Sequence, residues 1–274
     1  MLALRFPNSS RSTLKRLVLA GRVTLNGRRV RKLTEGVRES DQLKVADRAR
    51  PVESSDLLEP LERIFEDQDL LVVHKPPGLL TSTGPRETRP TALAIIQKYL
   101  AEHDRDARAG LIHRLDRDAS GLLVFSKNEL AYESLKTQFF RHTVQRIYLA
   151  LVHGSPKPVK GRIESQLVEY ADGTVHSTKA TGRGQRAITE YEVLRVHRHV
   201  AEVRIRLETG RKHQIRAHLA QREWPILGDP IYGRKDSARR LMLAAVELQL
   251  DHPRTSERMT FRRPAPPELD ELMT

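Results

Sequence analysis

Residues 110–128 read GLIHRLDRDASGLLVFSKN. Two cations and two carboxylates crowd into His113-Arg114-Leu115-Asp116-Arg117-Asp118. A small-residue turn, Ala119-Ser120-Gly121, and an apolar run, Leu122-Leu123-Val124-Phe125, follow at once. The apolar run reads as a buried strand, and a buried strand does not tolerate unpaired charge beside it. The carboxylates must therefore be paired, or one of them must be a working group.

The elements around this segment alternate in type. Leu111-Ile112 and Leu122–Phe125 read as strands, and Asn128 is placed to cap a helix running to about Phe140. Upstream, ERIFEDQDLLVVHKPPGLL (62–80) predicts two short strands about an Asp67-Gln68-Asp69 turn, stopped by Pro76-Pro77-Gly78. A helix is expected over 91–101. Downstream, Arg146–Val152, Ala187–Val196, Val200–Leu207 and Met259–Arg262 read as strands, and Lys212–Gln221 as a helix. The whole predicts an α+β fold, with a central, mostly antiparallel or mixed sheet flanked by helices.

The chain has 274 residues, 38% hydrophobic and 30% charged, enough for one large domain and a small one. Its formal charge is +13, which favours a polyanionic partner, nucleic acid being the usual one. There is no cysteine, so disulfides, thiolate nucleophiles and Cys-ligated zinc are excluded. The N-terminal MLALRFPNSSRSTLKRL lacks the long apolar core of a signal peptide, and no run approaches the roughly 18 apolar residues of a membrane span. A soluble cytoplasmic monomer is expected.

Charge is concentrated at the N-terminus. Residues 1–50 hold 13 Lys and Arg against 4 Asp and Glu, a net +9. Within them Ser12–Leu19 has helical spacing, Gly21 suits a helix end, Arg22-Val23-Thr24-Leu25 alternates like a strand, and Asn26-Gly27 signals a hairpin returning through Arg28-Arg29-Val30. The polar, proline-containing stretch DRARPVESSDLLEP (47–60) reads as a linker. The expected division is therefore 1–48, a linker over 49–61, and 62–274.

Most catalytic classes find no support. His213 and His218 are five apart, off a common helical face, and no H-E-x-x-H spacing occurs. No G-x-S-x-G elbow, P-loop or dinucleotide fingerprint is present. What remains is a carboxylate among cations. Asp116 lies two residues from Arg114, on the same face of an extended segment. A second basic stretch, Glu208-Thr209-Gly210-Arg211-Lys212-His213-Gln214-Ile215-Arg216-Ala217-His218, ends a strand and opens a helix, a setting suited to anions. Were Arg216 to meet Asp116, the carboxylate would stay ionised and could act at a sugar carbon. The same pattern fits a structural salt bridge between two loops, and spacing alone does not choose.

HRLDRDASGLLVFSKN resembles the signature of pseudouridine synthases of the RluA type. So do DLLVVHKPPGLL, RIYLALVHG, LETGRKHQIRAHLA, GDPIYG and HPRTSERMTFRRPAP, in order from about 62 to 265. Lys212 and Ala119 stand where Thr is common in that family. Residues 8–46, with GRVTLNGRRV and DQLKV, resemble the S-four-type RNA-binding module. The resemblance implies an isomerase that turns a uridine in RNA into its C-glycoside without cofactor or metal. It implies Asp116 as the catalytic carboxylate, Arg216 as its partner, and Tyr148 packed on the uracil and assisting loss of the carbon-five proton. Arg114 would fill the place of the extruded base, His113 would orient the loop, and Arg211, Lys212 and His213 would contact substrate. In the N-terminal module the expected RNA contacts are Arg16, Arg22, Asn26 and Arg28. Large-subunit rRNA is the expected target, with tRNA, or a non-catalytic ribosome-assembly role, as the alternatives.

Overall fold

The apolar runs that flank the charged segment become neighbouring strands of one large sheet. The computed structural model describes residues 23–26, 28–30, 38, 41–45, 60–83, 89–104, 107–178 and 182–273. The chain divides into two units, Met1–Leu58 and Glu59–Thr274.

In the first unit, β1 (Val23–Leu25) pairs antiparallel with both β2 (Arg28–Arg29) and β3 (Leu43–Val45), in the order β2-β1-β3. Asn26 turns β1 into β2 from the left-handed region, with φ 50°, as the Asn-Gly pair predicts. Its side chain donates to Asp41 Oδ1 (2.8 Å) and accepts from the Gln42 amide (2.7 Å). The helix expected over Ser12–Leu19, with Arg16 and Arg22, lies outside the described residues, as does the linker as far as residue 59.

The second unit contains β4 (Glu62–Glu66), β5 (Leu70–Lys75), α1 (Ala92–His103), β6 (Gly110–Leu111), β7 (Ser120–Ser126), α2 (Glu129–Phe140) and β8 (Gln145–His153). It continues with β9 (Lys160–Glu169), β10 (Val175–Thr178), β11 (Gln185–His197), β12 (Val200–Leu207), α3 (Gln214–Gln221), β13 (Leu243–Asp251), β14 (Arg258–Arg262) and α4 (Pro267–Glu271). Eleven strands form a mixed sheet in the order β10-β9-β11-β12-β8-β13-β7-β5-β4, with β14 on β13 and β6 on β7. Every pairing is antiparallel except that of β13 with β7.

Asn128 caps α2 by accepting from the Ala131 amide, and Thr91 caps α1 by accepting from Ala94. The buried Leu135 of α2 joins Leu70, Val72, Leu122, Val124, Leu248, Leu250 and Phe261 in one cluster. The run read as buried, Leu122–Phe125, and its neighbour Leu70–Val73 on β5 are at most 1% exposed.

Three strands escape a reading by pattern. In β9 the buried apolar residues are Ile163 and Leu167, on one face of the strand, but Ser165 stands between them, so the sequence shows no apolar alternation. Only four residues make up β10. The sequence of β13, LAAVELQLD, is rich in helix formers; its place between β7 and β8 overrides that preference. The helix expected over Lys212–Gln221 begins at Gln214, because His213 sits in the left-handed region with φ 50°.

The parallel seam positions the site. Gly121 of β7 and Tyr148 of β8 both pair with Ala245 of β13. At Gly121, φ is 124° and an added Cβ would lie 2.2 Å from the Ala245 carbonyl oxygen, so only glycine lets the two backbones meet. The segment before β7 is thereby drawn against β8. Among the described residues no helix is long and apolar enough to cross a membrane.

Candidate active site

The segment carrying Asp116 is tied down on both sides of that residue. Leu115 is buried, and the Thr81 hydroxyl donates to its carbonyl (2.8 Å) and accepts from its amide (3.1 Å). The carbonyl of Arg117 accepts from Lys75 Nζ (3.0 Å), which also donates to the Pro76 and Leu79 carbonyls at 2.8 Å each. Burial pushes the Lys75 amine down to about 7, against the pull of Asp116 and Asp118. Only the ammonium form has the three protons that these carbonyls take up. Asp118 closes on its neighbour, with both oxygens accepting from Arg117 at 2.8 and 2.9 Å. That pair neutralises half of the dense charge and leaves Asp116 for another partner.

The partner is Arg216, whose Nη1 donates to Asp116 Oδ2 at 3.3 Å across a hundred residues of chain. The two side chains are 2% and 16% exposed. The stronger bond of Arg216 goes elsewhere. Its Nε and Nη2 donate to the two oxygens of Asp229 at 2.8 and 2.7 Å, a bidentate buried pair. The sequence pattern assigns Arg216 to Asp116 alone and leaves Asp229 without a role, although GDPIYG is among the matching motifs. Asp229 also accepts from the amides of Ile231 and Tyr232. Burial works against the charge on Arg216 and on Asp229, but their mutual bond outweighs it: the guanidinium is raised and the carboxyl lowered. Arg216 also faces the Tyr232 ring at 5.2 Å.

Asp116, Arg114, Tyr148, Arg211, Lys212 and His213 line one cleft. Tyr148 is buried, and burial pushes its phenol up, opposed by Arg146 and aided by Asp116. The ring is therefore neutral; taking a proton as a base would need the phenolate that this setting disfavours. Arg114 is exposed and makes no hydrogen bond or salt bridge among the described residues. The other cations are partly engaged: Arg211 Nε donates to the Arg186 carbonyl (3.2 Å), and Lys212 Nζ to Glu169 (2.6 Å). The Tyr232 hydroxyl accepts from the Val175 amide and is hydrogen-bonded to His213 Nδ1 (3.0 Å); burial holds that imidazole below its usual value.

His113 lies behind the cleft. Its Nε2 accepts from the Val124 amide (3.1 Å), its ring stacks on Phe139 at 4.9 Å, and burial, with Arg146 nearby, pushes it down to about 3. It braces the loop against β7. His218 turns away from His213 and bonds Ser165 and Thr189. The described residues bring together a different His/carboxylate group, Asp67, Asp69 and His252. There Arg254 donates to both oxygens of Asp69, and His252 bonds Asp67, so the group is a closed ion-pair latch. Of the N-terminal residues, Asn26 uses its side chain to hold its own turn, and Arg28 is described through its strand pairing alone.

A family model for RNA pseudouridylate synthase matches residues 69–221, and one for the S4 domain matches residues 1–43. An uncharacterized RNA pseudouridine synthase of Bacillus subtilis, YlyB, is 34% identical over 96% of this chain and 88% of its own length. Ribosomal large subunit pseudouridine synthase D of Escherichia coli K12 is 31% identical over 99% of this chain and 88% of its own. Among solved structures, human RNA pseudouridylate synthase domain containing 1 is 26% identical, with a TM-score of 0.62 over 78% of this chain and 90% of that one. The chain belongs to the RNA pseudouridylate synthase family, and it is an isomerase.

Two consequences are measurable. Asp229→Asn removes the charge that fixes Arg216 and should cost about 3 kcal/mol of stability, a fall in melting temperature of roughly 6–12 °C, together with activity. A variant melting with the wild type would show the bidentate pair to be dispensable. The neutral His113 also predicts acid sensitivity. Its folded value, about 3, lies below the unfolded 6.5, so the unfolded chain binds the extra proton. Stability from this group is complete above 6.5 and falls as pH drops towards 3, by about 1.4 kcal/mol per pH unit. Urea unfolding from pH 7 to 4.5 should show a slope shallower by about that amount in His113→Gln. Equal slopes would mean that His113 is not held neutral.

Proposed function

We propose that this protein converts uridine to pseudouridine in large-subunit ribosomal RNA, with residues 62–274 catalysing and residues 1–48 contacting RNA. The observation that carries the catalytic assignment is Asp116 held 3.3 Å from the buried Arg216 in a cleft shared with Tyr148. The choice of RNA rests on the relatives named for the ribosomal large subunit and on the S4 match. The working compartment is then the cytoplasm, and the protein works as a monomer.

The reaction breaks the bond between uracil N1 and the ribose anomeric carbon, turns the base, and joins its carbon five to that carbon. The proton on carbon five is lost and N1 gains one, so the product is an isomer and no redox partner is needed. Asp116 begins it, either by attacking the anomeric carbon or by removing a proton from the neighbouring ribose carbon. Arg216 faces the carboxylate with positive charge, and Asp229 keeps Arg216 from following the substrate. Tyr148, a neutral ring, packs on the uracil. The target base must leave its stack to reach the cleft. Arg114, exposed and unpaired among the described residues, takes the vacated position, where a guanidinium plane can stack while meeting phosphate.

Asp116→Asn should keep the fold and RNA affinity and lose product formation by on the order of a thousandfold or more, read by release of tritium from uridine labelled at carbon five. Product at near wild-type rate would remove Asp116 from the chemistry. Replacing Arg16, Arg22 and Arg28 together by Gln in the full chain should weaken RNA binding and lower the salt slope by about two, with a smaller effect on the rate at saturating RNA. Affinity and slope equal to wild type would dismiss the N-terminal contacts.

A further inference from the structure

Arg146 has no part in the chemistry above, yet its position is unusual for a cation. It stands on β8 two residues before Tyr148, on the same face of the strand, and lines the Asp116 cleft. It is 8% exposed. Among the described residues it forms no ion pair; Nη2 donates to the Glu208 carbonyl at a long 3.4 Å, and Nε has no partner. Its flat face lies on the Phe139 ring at 5.4 Å. Burial pushes its value down, so the charge is held against desolvation with no carboxylate to offset it. An anion brought to it would relieve that imbalance.

Arg146 also lines a second groove, of about 650 Å3. The two spaces share Arg114, Arg146, Gly210 and Arg211 as a common wall. A chain entering the Asp116 cleft therefore passes Arg146 into this groove. The groove is also lined by Phe139, His142 and Phe140, the last 83% exposed. A solvated phenyl ring beside cations is what a nucleobase stacks on, whichever base it is.

We infer that this groove is a subsite for the nucleotide next to the target uridine, with the joining phosphate on Arg146 and the neighbouring base stacked on Phe140. The inference rests on the reading of the protein as a uridine-modifying enzyme, and it names how that enzyme grips the strand beside its target. Because the stacking surface is a bare ring, the subsite accepts any base and grips without selecting sequence.

The test uses the full chain and an unmodified large-subunit rRNA transcript, with affinity measured across salt concentrations. Phe140→Ala, at a side chain that supports no core, should weaken binding by roughly tenfold at an unchanged salt slope, and Phe140→Trp should restore it. Arg146→Gln should lower the salt slope by about 0.7–0.9, the share of a single neutralised phosphate. Unaltered affinity in Phe140→Ala overturns the stacking site. Weaker binding in Arg146→Gln at the wild-type slope overturns the phosphate site. Pseudouridine formation by the wild type on the same transcript separates the two proposals. Product with no effect of either substitution sinks the subsite alone. No product, with both effects present, sinks large-subunit RNA as the substrate and keeps the groove as an RNA contact.

Discussion

The site depends on one buried guanidinium shared by two carboxylates. Arg216 leaves α3 and meets Asp229 through two short bonds and Asp116 through one longer bond. A single buried arginine–carboxylate pair gains little net stability, since the cost of desolvation nearly cancels the attraction. Its value here is geometric. Asp229 is itself held by two backbone amides, so it fixes the guanidinium plane before any substrate arrives. One donor, Nη1, is left for Asp116, so the bond that ties the Asp116 loop to α3 ends on the carboxylate proposed to begin the reaction.

The rest of the environment of Asp116 ties its loop down through hydrogen bonds on both sides. Thr81 clamps Leu115 through both backbone groups, Lys75 grips the carbonyl of Arg117, and His113 takes the Val124 amide of β7. Each is a polar group removed from water and satisfied by another, so displacing any one leaves several unpaired. The parallel seam at Gly121 and Ala245 then sets how close this loop comes to Tyr148 on β8.

How far the site could be read from the chain depends on the kind of signal each residue carries. Asp116, Tyr148 and Arg216 stand in dense local motifs, and the structure brings all three together. Lys75 and Thr81 act through backbone carbonyls and amides, which any sequence presents, so nothing in their neighbours marks them. Asp229 stands in a motif that was legible, but its role is defined by a partner thirteen residues away, Arg216 in α3. Arg146 reads as an ordinary strand residue; that it is buried without a counter-ion becomes visible only when every neighbour is in place.

The sequence by itself determined the class of fold, the strands β5 and β7, the burial of the Leu122–Phe125 run, the cap of α2, and the segment in which Asp116 stands. These follow from short-range rules: alternation, turn chemistry and side-chain caps act within a few residues. Tertiary structure alone decided that β13 is a strand, that it runs parallel to β7, and that Arg216 divides its bonds between Asp229 and Asp116. A strand rich in helix formers is settled by the gap between its neighbours, and a buried charge by whichever opposite charge the fold carries to it. Both causes act across the sheet rather than along the chain.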